Sequence, residues 1–222
     1  GRHYNFDNPL SIAAAQAAYE KGEPWLEELR AYLDENFRFT GEYLKEHLPK
    51  AKYRVSEATY LAWVDLNAYF EPDEHLPLFF AYKAGVLLEG GNMFVQNSDG
   101  FIRLNLACPK ATLAEGLRRI CEAVNTKHTV SGREIKAYFR KTFRNRRRKR
   151  KMEKREFLEK YIADRHNTNC SKWDGLKEKF GEDGLLPMWV ADMEFKTCDG
   201  ITDALVERAK QGIFGYGVVP DE

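Results

Sequence analysis

Arg103 stands in the run Phe101-Ile102-Arg103-Leu104-Asn105-Leu106, where apolar and polar residues alternate as on a half-covered β-strand. A guanidinium is planar, stays charged and matches a carboxylate in a two-pronged fork. Among apolar neighbours an unpaired charge is costly; the plain alternative is a strand arginine facing solvent. Asn105 lies two residues on, on the same face of the strand, in a position to support Arg103. Tyr216 sits in the turn-like Phe214-Gly215-Tyr216-Gly217, where flanking glycines let a phenol project as a single hydrogen-bond donor. An ordinary turn aromatic is the alternative there. Trp189 closes the short apolar element Leu185–Val190, where it could be a core aromatic, and Ala191 follows it. Tyr60 and Trp63, in the apolar run Tyr60–Leu66, read as strand core.

Other chemistries find little support. Cys108, Cys121, Cys170 and Cys198 are scattered and form no C-x-x-C pair, so no metal site is expected and reduced cytosolic thiols are. The histidines do not cluster, and His75 and His128 sit among polar residues that imply solvation. No apolar run approaches the roughly 18 residues of a membrane span, and no secretory h-region follows Gly1. The expected location is cytoplasmic. The charge is uneven: nine of the twelve residues from Arg140 to Lys151 are Lys or Arg. Taking those nine positive charges from a net +1 leaves the rest of the chain at −8. The run carries only Phe139 and Phe143 as aromatics, with no reading motif around it. It is expected to be a solvated or partly helical linker, with nucleic-acid binding as the competing use.

The elements that must position these residues lie on both sides of the basic run. Ser11–Tyr19 is rich in helix formers. Pro24 opens a second helix, with Trp25, Leu29, Leu33, Phe37 and Leu44 at near-helical spacing, and Pro49 closes it. A helix is expected over Glu71–Lys83 with Gly85 at its end, a strand over Val86–Leu88 and a turn at Gly90-Gly91. Thr112 with Glu115 predicts a capped helix over Thr112–Val124. Beyond the run, helices are expected over Lys154–Ile162 and Asp199–Gly212, with a short apolar element over Leu185–Val190.

Several motifs then fall into place. Asp164-Arg165-His166-Asn167-Thr168, Lys172-Trp173-Asp174, Leu185 to Phe195 (LLPMWVADMEF) and Phe214–Gly217 resemble, in order and spacing, the amino-terminal end of the cystathionine β-lyase branch of fold-type-I pyridoxal-phosphate (PLP) enzymes. Gly22-Glu23-Pro24-Trp25-Leu26, Thr59 to Asp65 (TYLAWVD) and Gly100 to Pro109 (GFIRLNLACP) resemble the carboxy-terminal end of the same family. Only about Asn125–Lys151 stands outside the resemblance.

The resemblance implies an α/β fold, namely the small domain of such enzymes: a small, mostly antiparallel sheet containing residues 60–66 and 101–106, covered by helices from 24–48 and 112–124. The order is permuted, with a carboxy-terminal domain over 1–124, a basic linker over 125–151 and an amino-terminal segment over 152–222. It implies that Arg103 clamps the α-carboxylate of a sulfur amino acid, with Trp189 and Ala191 lining the substrate entrance. Tyr216 would reach the cofactor phosphate of a neighbouring subunit in a homodimer. Lys172-Trp173-Asp174 is expected to be structural. The family's central domain, with its Schiff-base lysine, has no counterpart here, so no catalytic residue is assigned. The chain is expected to be a fragment of a PLP-dependent C–S β-lyase, inactive alone, with no membrane partner. A fragment of a class I/II aminotransferase and a binding module using the basic run are the alternatives. The purine-rich codons that Arg146–Lys151 implies, just before Met152, suggest one gene's end reading through a spacer into the start of a related gene; a designed permutant is the rival.

Overall fold

A computed structural model of the chain describes residues 9–72, 74–94, 98–127, 156–182, 184–212 and 214. The chain divides into two compact units, residues 1–32 with 196–222, and residues 33–195. Helices α1 (Pro9–Lys21) and α2 (Glu23–His47) meet at Gly22, whose N–H donates to the Ala18 carbonyl at 2.9 Å. A Cβ on Gly22 would lie 2.4 Å from that oxygen, so the join requires glycine. Along α2, Leu29, Leu33, Phe37 and Leu44 are buried, as their spacing predicts, and the helix ends two residues before Pro49.

In the larger unit, strands β1 (Lys52–Tyr53), β2 (Leu61–Asp65), β4 (Glu89–Gly90) and β5 (Phe101–Asn105) form an antiparallel sheet in the order β1-β2-β5-β4. The period-2 pattern sorts its faces. Ala62, Val64, Ile102 and Leu104 are wholly buried, while Leu61, Trp63, Phe101 and Arg103 are half-buried on the other face. Over the buried face lie the later part of α2, α3 (Leu76–Ala84) and α4 (Lys110–Asn125). Phe70, Phe79 and Phe80 meet edge to face beneath α3. Each such large apolar side chain contributes roughly 1.5–3 kcal/mol by leaving water.

The chain beyond the basic run completes this core. Strand β6 (Leu186–Pro187) pairs in parallel with β3 (Val86–Leu87). Met188 follows it into the main apolar cluster with only 1% of its surface exposed. A Cβ on Gly116 would lie 2.3 Å from the Met188 sulfur, so α4 owes its close approach to glycine. Helices α5 (Glu156–Tyr161) and α6 (Leu176–Phe180) flank this segment. In the smaller unit, α1 packs against α7 (Asp199–Gln211). Among the described residues no helix is long and apolar enough to cross a membrane.

The expected α/β layer of a small antiparallel sheet under helices is present, but several local expectations change. Helix α3 begins at Leu76, not Glu71, because Pro77 sets its first turn and the exposed His75 caps it, accepting from the Leu78 N–H. Gly85 ends it in the left-handed conformation, as expected. Helix α4 starts at Lys110 with Pro109 before it, so Thr112 lies inside the first turn and caps nothing. Glu115 instead binds Arg118 and Arg119, and Arg118 foremost holds its carboxyl down at about 2. Gly90 belongs to β4, and Gly91 opens a 3-10 turn, Gly91–Met93. Tyr60 precedes β2 and Trp63 lies on its outer face, so neither is core: the apolar run is long enough for a strand but only alternate residues turn inward. The Leu185–Val190 element is reduced to the two residues of β6.

Candidate functional site

The sheet face away from the core carries the charge. Register places Trp63 of β2, Arg103 of β5 and Glu89 of β4 side by side. Directly opposed side chains on one sheet face are in reach of each other. Arg103 donates from Nη2 to Glu89 Oε2, and the two side chains are only 14% and 17% exposed. Phe94, just after the 3-10 turn, lies under the guanidinium, 4.1 Å from ring centroid to Cζ, and meets Trp63 edge to face. A guanidinium on an aromatic face is held in plane by cation–π attraction. Arg103 Nε is buried without a hydrogen-bond partner. Burial pulls the Arg103 pKa below its usual value, opposed by Tyr60 nearby, yet arginine stays protonated in proteins.

Two residues further along the same face, Asn105 is buried and its amide is engaged elsewhere than on Arg103. Its Nδ2 donates to the Val190 carbonyl at 2.7 Å and the Asp192 carbonyl at 3.1 Å, and its Oδ1 accepts from the Ala107 N–H at 2.9 Å. The Tyr60 phenol donates to the Ala191 carbonyl at 3.3 Å. Val190 and Asp192 are therefore tied to the Arg103 strand through Asn105, and Ala191 to the residue before β2 through Tyr60.

The far side of this loop is gripped by the Asp164–Asp174 region. Arg165 binds both carboxylate oxygens of Asp192, at 3.1 and 2.9 Å, and the Met193 carbonyl at 2.9 Å. Arg165 holds the Asp192 carboxyl below the usual carboxylate range. Lys172 donates to the Asp192 carbonyl and to Glu194 Oε1, both at 2.7 Å, and the Trp173 indole also donates to Glu194. Asp174 accepts backbone N–H groups of Asn167, Thr168 and Cys170 at 2.8, 2.8 and 3.1 Å. Asn167 and Asn169 take left-handed backbone there, which curls successive N–H groups inward around an anion. Those bonds, that of Asn167 first, hold the Asp174 carboxyl low. Lys172, Trp173 and Asp174 are thus structural, each engaged within this segment.

Trp189 is placed otherwise. Its ring packs with Leu87, Leu176 and Leu185, and meets Phe180 edge to face at 5.4 Å. Ala191 is held by Tyr60, whose charge also bears on Arg103, Trp189 joins a separate apolar cluster, and Tyr216 lies outside the described residues, as does His128. Sequence reasoning missed Glu89, Phe94 and the Arg165–Asp192 pair. A single carboxylate in the apolar stretch Val86–Gly91 was the available signal for Glu89. Cys108 and Cys121 are buried free thiols, each pushed up to about 12 by burial, which removes them as nucleophiles.

The donor set fits a carboxylate better than it fits PLP. Among the described residues Lys172 is the one buried lysine, and its amine is engaged by Glu194 and the Asp192 carbonyl.

No family model matches the chain. Among curated proteins it is 41% identical over 118 residues to cystathionine beta-lyase PatB of Bacillus subtilis, covering 53% of this chain and 30% of that protein. It is 31% identical over 115 residues to protein MalY of Escherichia coli, covering 52% and 30%. The chain thus spans about 30% of the length of these curated relatives. Among solved structures, a PLP-bound C–S lyase from Staphylococcus hominis superposes with a TM-score of 0.54 at 44% identity, over 58% of this chain and 34% of that one. About half of the chain is accordingly homologous to the PLP-dependent cystathionine β-lyases and C–S lyases, the family of the relatives and structures it matches.

Proposed function

We propose that the chain carries the substrate-carboxylate end of a PLP-dependent C–S β-lyase, and that Arg103 binds the α-carboxylate of a sulfur amino acid such as cystathionine. The observation that carries this reading is the Trp63–Arg103–Glu89 row, with Phe94 fixing the guanidinium plane and Nε left without a partner. Glu89 takes one Nη2 contact, and a guanidinium has further N–H groups to offer a second carboxylate. Ala191, at the exposed turn of the 190–194 loop, is the second contact in this reading. Tyr216 would serve the cofactor phosphate of a partner subunit in a homodimer.

In such an enzyme the cofactor supplies the electron sink for β-elimination, and the protein binds and orients. We read the chain as a tail-then-head arrangement: a carboxy-terminal domain over 1–124, a basic linker over 125–151 and an amino-terminal segment over 152–222. The shared core of residues 33–127 and 156–195 supports that reading, because family ends that normally flank a central domain pack together without it. With no Ser-x-x-Lys in a setting like the family's in its sequence, the chain is read as binding substrate without turning it over.

Titration of the 15N-labelled chain with L-cystathionine tests the clamp. The Arg103 Nε–Hε resonance should shift with millimolar saturation, and Arg103→Gln should abolish binding while the remaining spectrum stays folded. An unmoved Arg103 resonance at saturating ligand removes the assignment. Pyruvate release by the purified chain with added PLP, at an enzymatic rate, would remove the claim of inactivity.

A further inference from the structure

On the reading of Arg103 as the carboxylate clamp, we propose that Lys52 and Asp65 form a second subsite on the same sheet face. It takes the distal ammonium and carboxylate of a substrate that is a zwitterion at both ends, as L-cystathionine is. Leu61, Trp63 and Asp65 alternate with the buried Ala62 and Val64, so all three stand on the outer face with Arg103. Register then sets their spacing. Trp63 lies opposite Arg103, Asp65 opposite Phe101, and Lys52 of the edge strand β1 opposite Asp65. Asp65 is therefore the diagonal neighbour of Arg103, about 7–8 Å away between Cα atoms, and Lys52 lies one strand beyond, roughly another 4.8 Å. Extended L-cystathionine spans about 9 Å between its carboxylate carbons. Held at Arg103 by its cysteine end, it reaches the Lys52–Asp65 pair with the other. Its thioether crosses Trp63 and Phe101, half-buried rings that suit a polarisable sulfur.

Asp65 is fixed on one side and open on the other. Its Oδ1 accepts from the Asn67 N–H at 2.9 Å and from Asn67 Nδ2 at 2.8 Å. Asn67 is itself confined, since a Cβ on Gly100 would lie 2.2 Å from its Oδ1. Oδ2 is left to Lys52, whose Nζ stands 3.7 Å away and whose side chain is 83% exposed. An exposed ion pair of that length holds little stability, so it opens readily. A ligand ammonium at Asp65 Oδ2 and a ligand carboxylate at Lys52 Nζ replace one long contact by two. An α-amino-acid end presents both charges together, whereas an uncharged alkyl end offers the pair nothing. The subsite therefore selects by charge at the far end of the substrate, where Arg103 cannot discriminate.

Titration of the 15N-labelled chain with L-cystathionine and with S-propyl-L-cysteine, the same molecule without its distal ammonium and carboxylate, tests the subsite. In the wild type the Arg103 Nε–Hε resonance should shift with both ligands. L-cystathionine should bind about fivefold tighter, the gain of two exposed charge contacts. The Asn67 Nδ2 resonances, which report on Asp65, should shift with L-cystathionine and stay in place with S-propyl-L-cysteine. Salt at about 0.5 M should shrink the preference towards one. Lys52→Gln and Asp65→Asn should each lower it to about twofold or less; asparagine keeps an Oδ1 for the Asn67 bonds. Equal affinities in the wild type overturn the subsite and leave the Arg103 reading intact. So does an Asn67 shift common to both ligands, or a preference that either folded variant retains. No Arg103 response to either ligand overturns the reading beneath, and the subsite with it. If Asp65→Asn fails to fold, Lys52→Gln, at an exposed side chain, decides alone.

Discussion

At the scale of the residue, Arg103 shows how a buried charge is made tolerable. Its cross-strand neighbour Glu89 neutralises it and Phe94 shields it, so the sheet carries the pair without an open charge. That same neutralisation opposes a ligand. A carboxylate arriving at Arg103 meets the Glu89 carboxylate beside it, and like charges repel even through water. Glu89→Gln keeps an oxygen for the guanidinium and removes the negative charge. It should tighten L-cystathionine binding by about fivefold, for ~1 kcal/mol of relieved repulsion, measured by the same titration. Unchanged or weaker binding would show that Glu89 is no competitor.

At the scale of the element, the 190–194 loop has almost no secondary structure of its own and is held by side chains from elsewhere. Lys172 and Glu194 form the most buried ion pair described, their side chains 2% and 6% exposed. A buried pair of this kind gains little over apolar packing, but removing one partner strands the other charge. Lys172→Met should therefore destabilise the fold by about 3–5 kcal/mol in urea unfolding. A double change, Lys172→Met with Glu194→Leu, should recover much of the loss. A single variant as stable as the wild type would show that the pair is solvated in solution. The β3–β6 pairing and the Gly116–Met188 contact tie the same segment to the main core by shape rather than charge.

At the scale of the molecule, the shared core has a consequence for chain connectivity. Residues on both sides of the basic run contribute to one apolar cluster and one loop network. Burial of Met188 and the two-residue β6 ladder does not depend on the covalent path between them. Residues 1–127 and 156–222, produced as separate polypeptides, should co-purify as a one-to-one complex, at a cost set by the entropy of association. Failure of the two pieces to associate when refolded together would mean that the linker enforces the contact.

Much of this was legible in the residues themselves. The alternation in Phe101–Leu106 named both the strand and the face on which Arg103 stands, and the spacing along α2 named its buried stripe. Gly85 marked a helix end because only a left-handed residue closes it there. These are local properties, set by backbone sterics and side-chain period within a few residues. Helix starts were less legible: Pro77 and Pro109 overrode the expected signals at Glu71 and Thr112. Partnership across the chain was not legible at all. Glu89 meets Arg103 across a sheet, and Asn105 reaches Val190 from 85 residues away. Nothing in the spacing of Trp189 distinguished a ligand wall from the apolar cluster with Leu87, Leu176 and Leu185. The sequence alone determined which residues are charged, which face they occupy and which segments are ordered by period. Only the tertiary structure decided which carboxylate neutralises Arg103 and which carbonyls Asn105 binds, because those choices depend on register and packing between segments that share no local pattern.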